Sequence, residues 1–216
     1  PGRVCMSDNG TQIMISDGAG KGYIYTIATT TLAAISDVDA PTSDFNLYLD
    51  QYFAVNKQGT FSYQISALAD GTSWAAADIT SSDGDPDAIT AMMVKDQQIF
   101  TFGPSSIESY YDSGNATFPF DRISGSLIKV GTPAPWSIAQ LASEFIMLGK
   151  DKDGIGVFLP EGDKPRRVSP AWLEYLISGY GVVSDATAFT YAEAGHLFYV
   201  LTFPSVPITW CYDKTN

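Results

Sequence analysis

DAITAMMVKDQQIFTFGPSSIESYYDSGNATFPFDRISGSLIKVGTP, residues 87–133, holds four short apolar runs divided by turn formers. Residues 88–94 and 97–102 read as two strands joined at Lys95 and Asp96. Residues 106–111 alternate apolar and polar side chains, and residues 123–130 supply a fourth run. Gly103-Pro104 and the cluster at 112–115 punctuate the later runs, as turn chemistry requires. Four short strands in about 45 residues is the size of one β-propeller blade.

The unit recurs. Aligned on a turn followed by an apolar run, its second strand appears around Ile13, Phe53, Ile99, Phe145 and Phe198, at intervals of roughly 40, 46, 46 and 53 residues. A third strand follows each, at 22–27, 60–65, 106–111, 154–159 and 208–212. The pattern predicts an all-β chain of four-stranded antiparallel blades. Four are complete, at about 3–39, 45–80, 87–131 and 136–168, and the fifth, 187–216, is incomplete. All belong to one propeller domain. An antiparallel sandwich would also give evenly spaced hairpins, but it does not require the same grouping five times.

Composition narrows the function. Hydrophobic residues make up 45% of the 216, enough for a large core, and no run approaches the roughly 18 apolar residues that cross a bilayer. Because the chain begins at Pro1 and its last unit stops one strand short, we expect a piece of a longer protein. Charged residues are only 17%, against an average of about 25%. Twelve basic and 24 acidic residues leave a net charge of −12, whose field repels nucleic acid. Cys5 and Cys211 read as separate thiols in buried strands, although a bond between them is conceivable.

Several motifs have a sharper and a blander reading. GAGKG at 18–22 resembles a phosphate loop but lacks Walker spacing and a following helix, so it reads as a hairpin. ADGTSW at 69–74 has the Gly and Trp of an Asp box, with Ala69 and Ala67 where that box has Asp and Ser. The acidic stretches 81–87 and 151–154 lack the bidentate Glu of a calcium loop and read as solvated turns. Arg166 and Arg167, the only adjacent basic pair, are expected to close salt bridges. SPAWLEYLI at 169–177 breaks the strand rhythm and predicts a short helix near 170–178. In it, Ser169 is the N-cap, Pro170 the first helical residue, and Trp172, Tyr175 and Leu176 share one face that covers a blade edge or docks a partner. His196 has no spaced ligands for a metal. No catalytic, cofactor-binding or metal-binding residue is assigned, and no enzyme activity is expected.

With these residues laid out, the chain resembles the phage packaged-DNA stabilisation family, tail-hub proteins of short-tailed phages of enteric bacteria. The resemblance lies in 88–121, with DQQIFTFG at 96–103 and SIESYYD at 106–112. It continues through 145–149, 156–159 and 196–212. It implies a structural virion protein of the tail, assembled in the bacterial host cytoplasm. Copies form a homo-oligomeric ring below the portal or adaptor ring after packaging and carry tail needle or plug proteins. Packaged DNA is then retained sterically rather than bound, with no cofactor and no membrane. A glycan-binding or sialidase-like propeller is the alternative, with Trp74, Trp136 and Trp210 as stacking platforms. It would need a carboxylate pair or an Arg cluster, and neither is recognisable. A generic protein-interaction propeller would carry WD or kelch signatures, which are missing.

Overall fold

The computed structural model describes residues 2–161 and 164–215. The first sheet contains β1 (Cys5–Asp8), β2 (Gln12–Ser16), β3 (Tyr23–Thr26) and β4 (Thr31–Ala34). The second contains β5 (Asn46–Leu49), β6 (Tyr52–Asn56), β7 (Ser62–Ala67) and β8 (Asp70–Ser81). The third contains β9 (Ala91–Lys95), β10 (Gln98–Phe102), β11 (Ile107–Asp112) and β12 (Phe120–Arg122). The fourth contains β13 (Ala139–Leu141), β14 (Glu144–Asp151), β15 (Gly154–Glu161) and β16 (Lys164–Arg167). The fifth contains β17 (Thr187–Glu193), β18 (His196–Phe203) and β19 (Ile208–Asp213). Every sheet is antiparallel with neighbours in chain order, four strands in the first four sheets and three in the fifth. These are β-propeller blades, and the helix α1 (Ala171–Ser178) follows the fourth.

Turn chemistry sets the registers. Asp50 and Gln51 (φ 46° and 72°), Asp96 and Gln97 (50° and 57°), and Ala194 and Gly195 (50° and 86°) form two-residue turns with both central residues left-handed. That is the I′ geometry, whose twist matches antiparallel strands. Each turn immediately precedes a second strand, so the repeat seen in the sequence was in part a repeat of hairpins.

Three expected boundaries move. The strand expected at 88–94 begins only at Ala91, because its first residues are used elsewhere. Ile89 donates its N–H to Thr60 O (2.8 Å), and its carbonyl accepts from Asn56 Nδ2 (3.1 Å). The fourth strand of the same blade lies at Phe120–Arg122 rather than 123–130, pairing Tyr110 with Arg122 and Asp112 with Phe120. Pro119 starts it, its carbonyl accepting from Ser113 N and Oγ (2.8 and 3.0 Å). Of the expected run, Ile123 donates its N–H to Ser109 O (2.9 Å) and Ile128 forms an isolated bridge to Ile107. Finally, α1 starts at Ala171 with Pro170 as its cap residue, and Ser169 does not cap it.

The chain divides into two compact units, Pro1–Gly103 with Glu108–Ser124, and Pro104–Ile107 with Gly125–Asn216. In the first, Met14 and Ile24 of the first sheet pack on Phe53, Val55 and Trp74 of the second. Asn46 joins the same sheets by polar contacts, donating from Nδ2 to Cys5 O and Ser16 Oγ (both 2.9 Å) and accepting from Ser7 Oγ (2.6 Å). In the second unit Leu141, Ile146, Leu148, Val157 and Leu159 pack with Tyr199, Leu201 and Phe203 and with Ile177 of α1.

Two expectations follow. A Cβ at Gly131 would lie 2.1 Å from the backbone of Pro104 and Ser105, atoms that cannot step aside. Gly131→Ala should therefore cost about 3 kcal/mol, the upper end for overpacking, read as a lowered denaturation midpoint. The second concerns acid. Hydrogen bonds from the N–H groups of Trp74 (3.0 Å) and Asp39 (3.0 Å) hold the Asp37 carboxyl below its ordinary value. Partial burial pushes Asp70 up, but Thr72 Oγ1 (2.7 Å) and N (2.9 Å) and Gln12 Nε2 (3.1 Å) outweigh it and leave it lowered too. A depressed folded pKa contributes stability above the unfolded value of about 3.9, and that contribution is lost as pH falls through the folded value. Stability should fall on acidification below about pH 4, and Asp37→Asn with Asp70→Asn should flatten that part of the profile.

Candidate functional site

The second unit carries an apolar cleft of about 220 Å³. Val157 of β15, Tyr199 and Leu201 of β18, Trp210–Tyr212 of β19, and the chain from Val168 into α1 form its walls. Trp210 and Tyr212 of β19 are half-buried, Cys211 between them is exposed, and all three line the cleft. Cys211 is therefore not the buried thiol expected. Cys5 is half-buried, donates Sγ–H to Asn46 O (3.2 Å) and is also unpaired; burial pushes its thiol up. Trp172 meets Trp210 edge to face, with centroids 5.6 Å apart, and Trp210 Nε1 donates to Tyr180 OH (3.3 Å).

A charged knot holds the helix in place. Arg167 binds Asp151 (2.6 Å) and Glu174 (2.7 Å), and its guanidinium lies over the Phe158 ring at 5.0 Å. Ser169 Oγ donates to Glu174 Oε1 (2.7 Å) and accepts from Val157 N (2.9 Å). The hydroxyl expected to cap the helix is thus occupied in fastening its first turn to β15. The expectation that Arg167 closes salt bridges holds, and Asp151 of the acidic turn 151–154 is its partner.

Of the two readings of the Trp172, Tyr175 and Leu176 face, covering a blade edge or docking a partner, the first does not hold, because the structure leaves that face outward. Ile177 is fully buried and Leu173 partly so, whereas Trp172, Tyr175 and Leu176 are 57%, 79% and 43% exposed. Val182, 45% exposed, follows shortly after in the chain. A stripe of large apolar side chains held outward by an ion-paired helix suits contact with another macromolecule. Ser169 of the cleft wall is held in the charged knot by Glu174 and Val157, and the other polar side chains of the lining are Trp172, Tyr199, Trp210, Cys211 and Tyr212.

Other candidates fall in the first unit. The 18–22 loop joins β2 to β3 as a hairpin. Trp74 is buried and donates Nε1–H to Gly71 O (2.9 Å), so the Asp-box-like stretch braces the start of β8 and presents no platform to a sugar. A buried carboxylate organises the acidic turn 81–87, which composition alone did not reveal. Glu108, inside the third sheet, accepts from the N–H groups of Gly84 (2.9 Å) and Asp85 (3.2 Å), from Tyr110 OH (3.2 Å) and from Arg122 (3.4 Å). The turn thus offers N–H donors to a carboxylate, the opposite polarity to a calcium loop. A more polar cleft of about 470 Å³ is lined in part by Asp50, Asp78, Asp112 and Asn115. Among the described residues no group of three His, Cys, Asp or Glu could hold a metal ion. His196 Nδ1 lies 2.7 Å from Asp213 Oδ2 and its ring stacks on Phe198.

A family model described as Bacteriophage P22 Gp10, beta-propeller, matches residues 1–216. No curated protein matches the chain. Among solved structures, the dihydro-heme d1 dehydrogenase NirN is similar with a TM-score of 0.60 at 12% identity, over 100% of this chain and 45% of that one. The extracellular domain of BT4673 from B. thetaiotaomicron gives 0.56 at 8%, over 92% and 26%. PorZ, a surface component of the type-IX secretion system of Porphyromonas gingivalis, gives 0.53 at 14%, over 91% and 30%. At such identities the likeness is one of fold. The chain spans about a quarter of the BT4673 domain's length.

The helix geometry makes a differential prediction. Ile177→Ala should cost about 3 kcal/mol through the cavity it leaves. Tyr175→Ala should change stability by no more than about 0.5 kcal/mol, as for an exposed side chain. Chemical denaturation of both variants measures the contrast, and equal losses would mean that Tyr175 is packed against the fold rather than held outward.

Proposed function

The chain belongs to the phage packaged-DNA stabilisation family of β-propellers, and from that membership we propose that it is a structural part of the tail hub. In this reading, copies assemble as a ring below the portal or adaptor ring once the capsid is full. The ring retains the genome by physical closure and carries the needle or plug proteins that complete the tail. Its place is the tail of the virion, assembled in the cytoplasm of the bacterial host. The family match over the entire chain is the observation that carries it.

Physical features support the reading without depending on the match. Charged residues are few and net charge is −12, a balance that disfavours the counterion release a DNA clamp relies on. A barrier of this sign excludes DNA from its surface while blocking its path. The outward stripe Trp172, Tyr175 and Leu176 provides desolvatable aromatic area, the kind that dominates protein contacts. Among the described residues no helix is long and apolar enough to cross a membrane.

DNA-filled capsids lacking their tail-hub component provide the test, with dye fluorescence reporting escaping DNA. Added protein should arrest the leak at amounts stoichiometric with a ring. Protein that neither binds these capsids nor slows the leak would overturn the tail-hub reading. A second expectation concerns the acidic surface. Replacing exposed Asp83, Asp112 and Asp153 by Lys should leave the fold intact and create salt-sensitive DNA binding. Wild-type protein should show none in the same gel-shift assay.

A further inference from the structure

In the fourth sheet, β15 is longer than the strand that covers its outer edge. β15 runs from Gly154 to Glu161, but β16 pairs only with residues 158–161. The other half of that edge is covered by the chain leading into α1. Val168 donates its N–H to Val157 O (2.9 Å), Ser169 Oγ accepts from Val157 N (2.9 Å), and Arg167 donates to Gly154 O (3.3 Å). Side chains thus stand in for a neighbouring strand along this half. Gly156 makes the close fit possible. A Cβ there would lie 2.9 Å from Ser169 Oγ and 3.0 Å from Glu174 Oε1.

We propose that residues 168–178 form a strap that opens as one piece, with the Arg167 knot as its latch. Three features make the strap separable from the sheet. Its helix has eight residues, too few to persist in water without docking, so the helix and its contacts to β15 must be lost together. No side chain caps its first turn, because Pro170 holds the cap position and Ser169 is engaged by β15 and Glu174. Its apolar anchorage is also small: Ile177 is buried and Leu173 partly so, while Trp172, Tyr175 and Leu176 stay outside. Segments with few buried apolar contacts open at free energies below that of global unfolding.

Against that small anchorage stands one concentrated interaction. Glu174 is the single charged residue of α1, and it accepts from Arg167 (2.7 Å) and Ser169 (2.7 Å). The other arm of Arg167 holds Asp151 (2.6 Å) at the end of β14. Charge-assisted bonds of this kind are stronger than neutral ones. Glu174 is therefore the point at which the strap is fastened or freed. What opening exposes is backbone. A strand edge with free N–H and C=O groups is a template on which another chain can pair, and natural sheets cover such edges. The strap sets whether this half of β15 is hidden or available. The knot and the inner face of α1 do the covering, not the outward stripe. Nothing in this device depends on the tail-hub reading.

Residue-resolved amide hydrogen exchange, followed by NMR, tests it. In wild-type protein the amides of Val157, Val168 and residues 173–178 should share one degree of protection, lower than that of Ile146, Met147 and Leu148 within β14. In Glu174→Gln all of the strap amides should exchange faster together, by about ten- to a hundredfold, the size of one lost charge-assisted hydrogen bond. Gly156→Ala, which crowds the latch without removing a charge, should shift the same amides in the same direction. Residues 146–148 should keep their wild-type protection in both variants. Strap amides as protected as 146–148 in wild-type protein would mean that α1 leaves only when the whole unit unfolds, and would overturn the proposal. So would helix amides that speed up while Val157 does not, a Glu174→Gln protein that exchanges like wild type, or a variant in which 146–148 loosen as much as the strap. The wild-type comparison needs no substitution, so it decides the matter even where a variant does not fold.

Discussion

A sheet with apolar side chains on both faces must be covered on both. Met14 and Ile24 on one side of the first sheet, and Ile13, Ile15 and Tyr25 on the other, show the requirement in a single blade. The hydrophobic term contributes about 25 cal/mol per Å² of apolar surface removed from water. A blade standing alone would forgo it on two faces while still losing the conformational entropy of some twenty ordered residues. Blade-on-blade packing is therefore the source of stability here, and each hairpin matters mainly because it aims side chains at the next sheet.

Stacking sheets closely creates a second demand, because the chain must pass between blades through dry surroundings where an unpaired N–H or C=O is costly. Side chains meet it. Asn56 takes the N–H groups of Asp44 and Phe45 (3.1 and 2.9 Å) and donates to Ile89 O, closing both ends of the second blade's connections. In the second unit Thr132 Oγ1 donates within reach of Ala134 O and Leu148 O, and Ser137 Oγ accepts from Leu148 N (3.1 Å). Tyr199 OH then donates to Ser137 O (2.8 Å) from the next blade. Among the described residues Tyr63 OH and Asp185 Oδ1 are the buried side-chain atoms left unpartnered.

This division explains what the sequence revealed. Second and third strands were legible because a turn and a period-two pattern mark them locally, and the I′ turns at Asp50-Gln51 and Asp96-Gln97 carry much of that signal. Strand ends decided by distant partners were not legible. Ile89 looks like strand, yet its backbone is bound to Thr60 and Asn56. The helix was legible as a break in rhythm, but its orientation was not, because two apolar stripes compete on eight residues. Leu173 and Ile177 face the core since the Arg167–Glu174 pair fixes the rotation, a contact no periodicity encodes. Glu108 was invisible for the same reason: a carboxylate within an alternating strand reads as an outward-facing residue until its donors are in place.

The same accounting bears on how such a molecule can serve a packaged genome. Charge is spent sparingly, and several of the basic groups are committed within the fold: Arg167 to Asp151 and Glu174, Arg122 to Glu108, Lys95 to Asp96, and Lys214 to Glu144. Cations engaged internally are poor replacements for the counterions around DNA, and the acidic excess opposes close approach. On the proposed role this is consistent rather than paradoxical. Binding DNA tightly would oppose its later departure by the same free energy, whereas a barrier held by protein–protein contact can open without first breaking phosphate contacts. On that proposal, retention depends on protein–protein contacts rather than on the surface that the DNA meets.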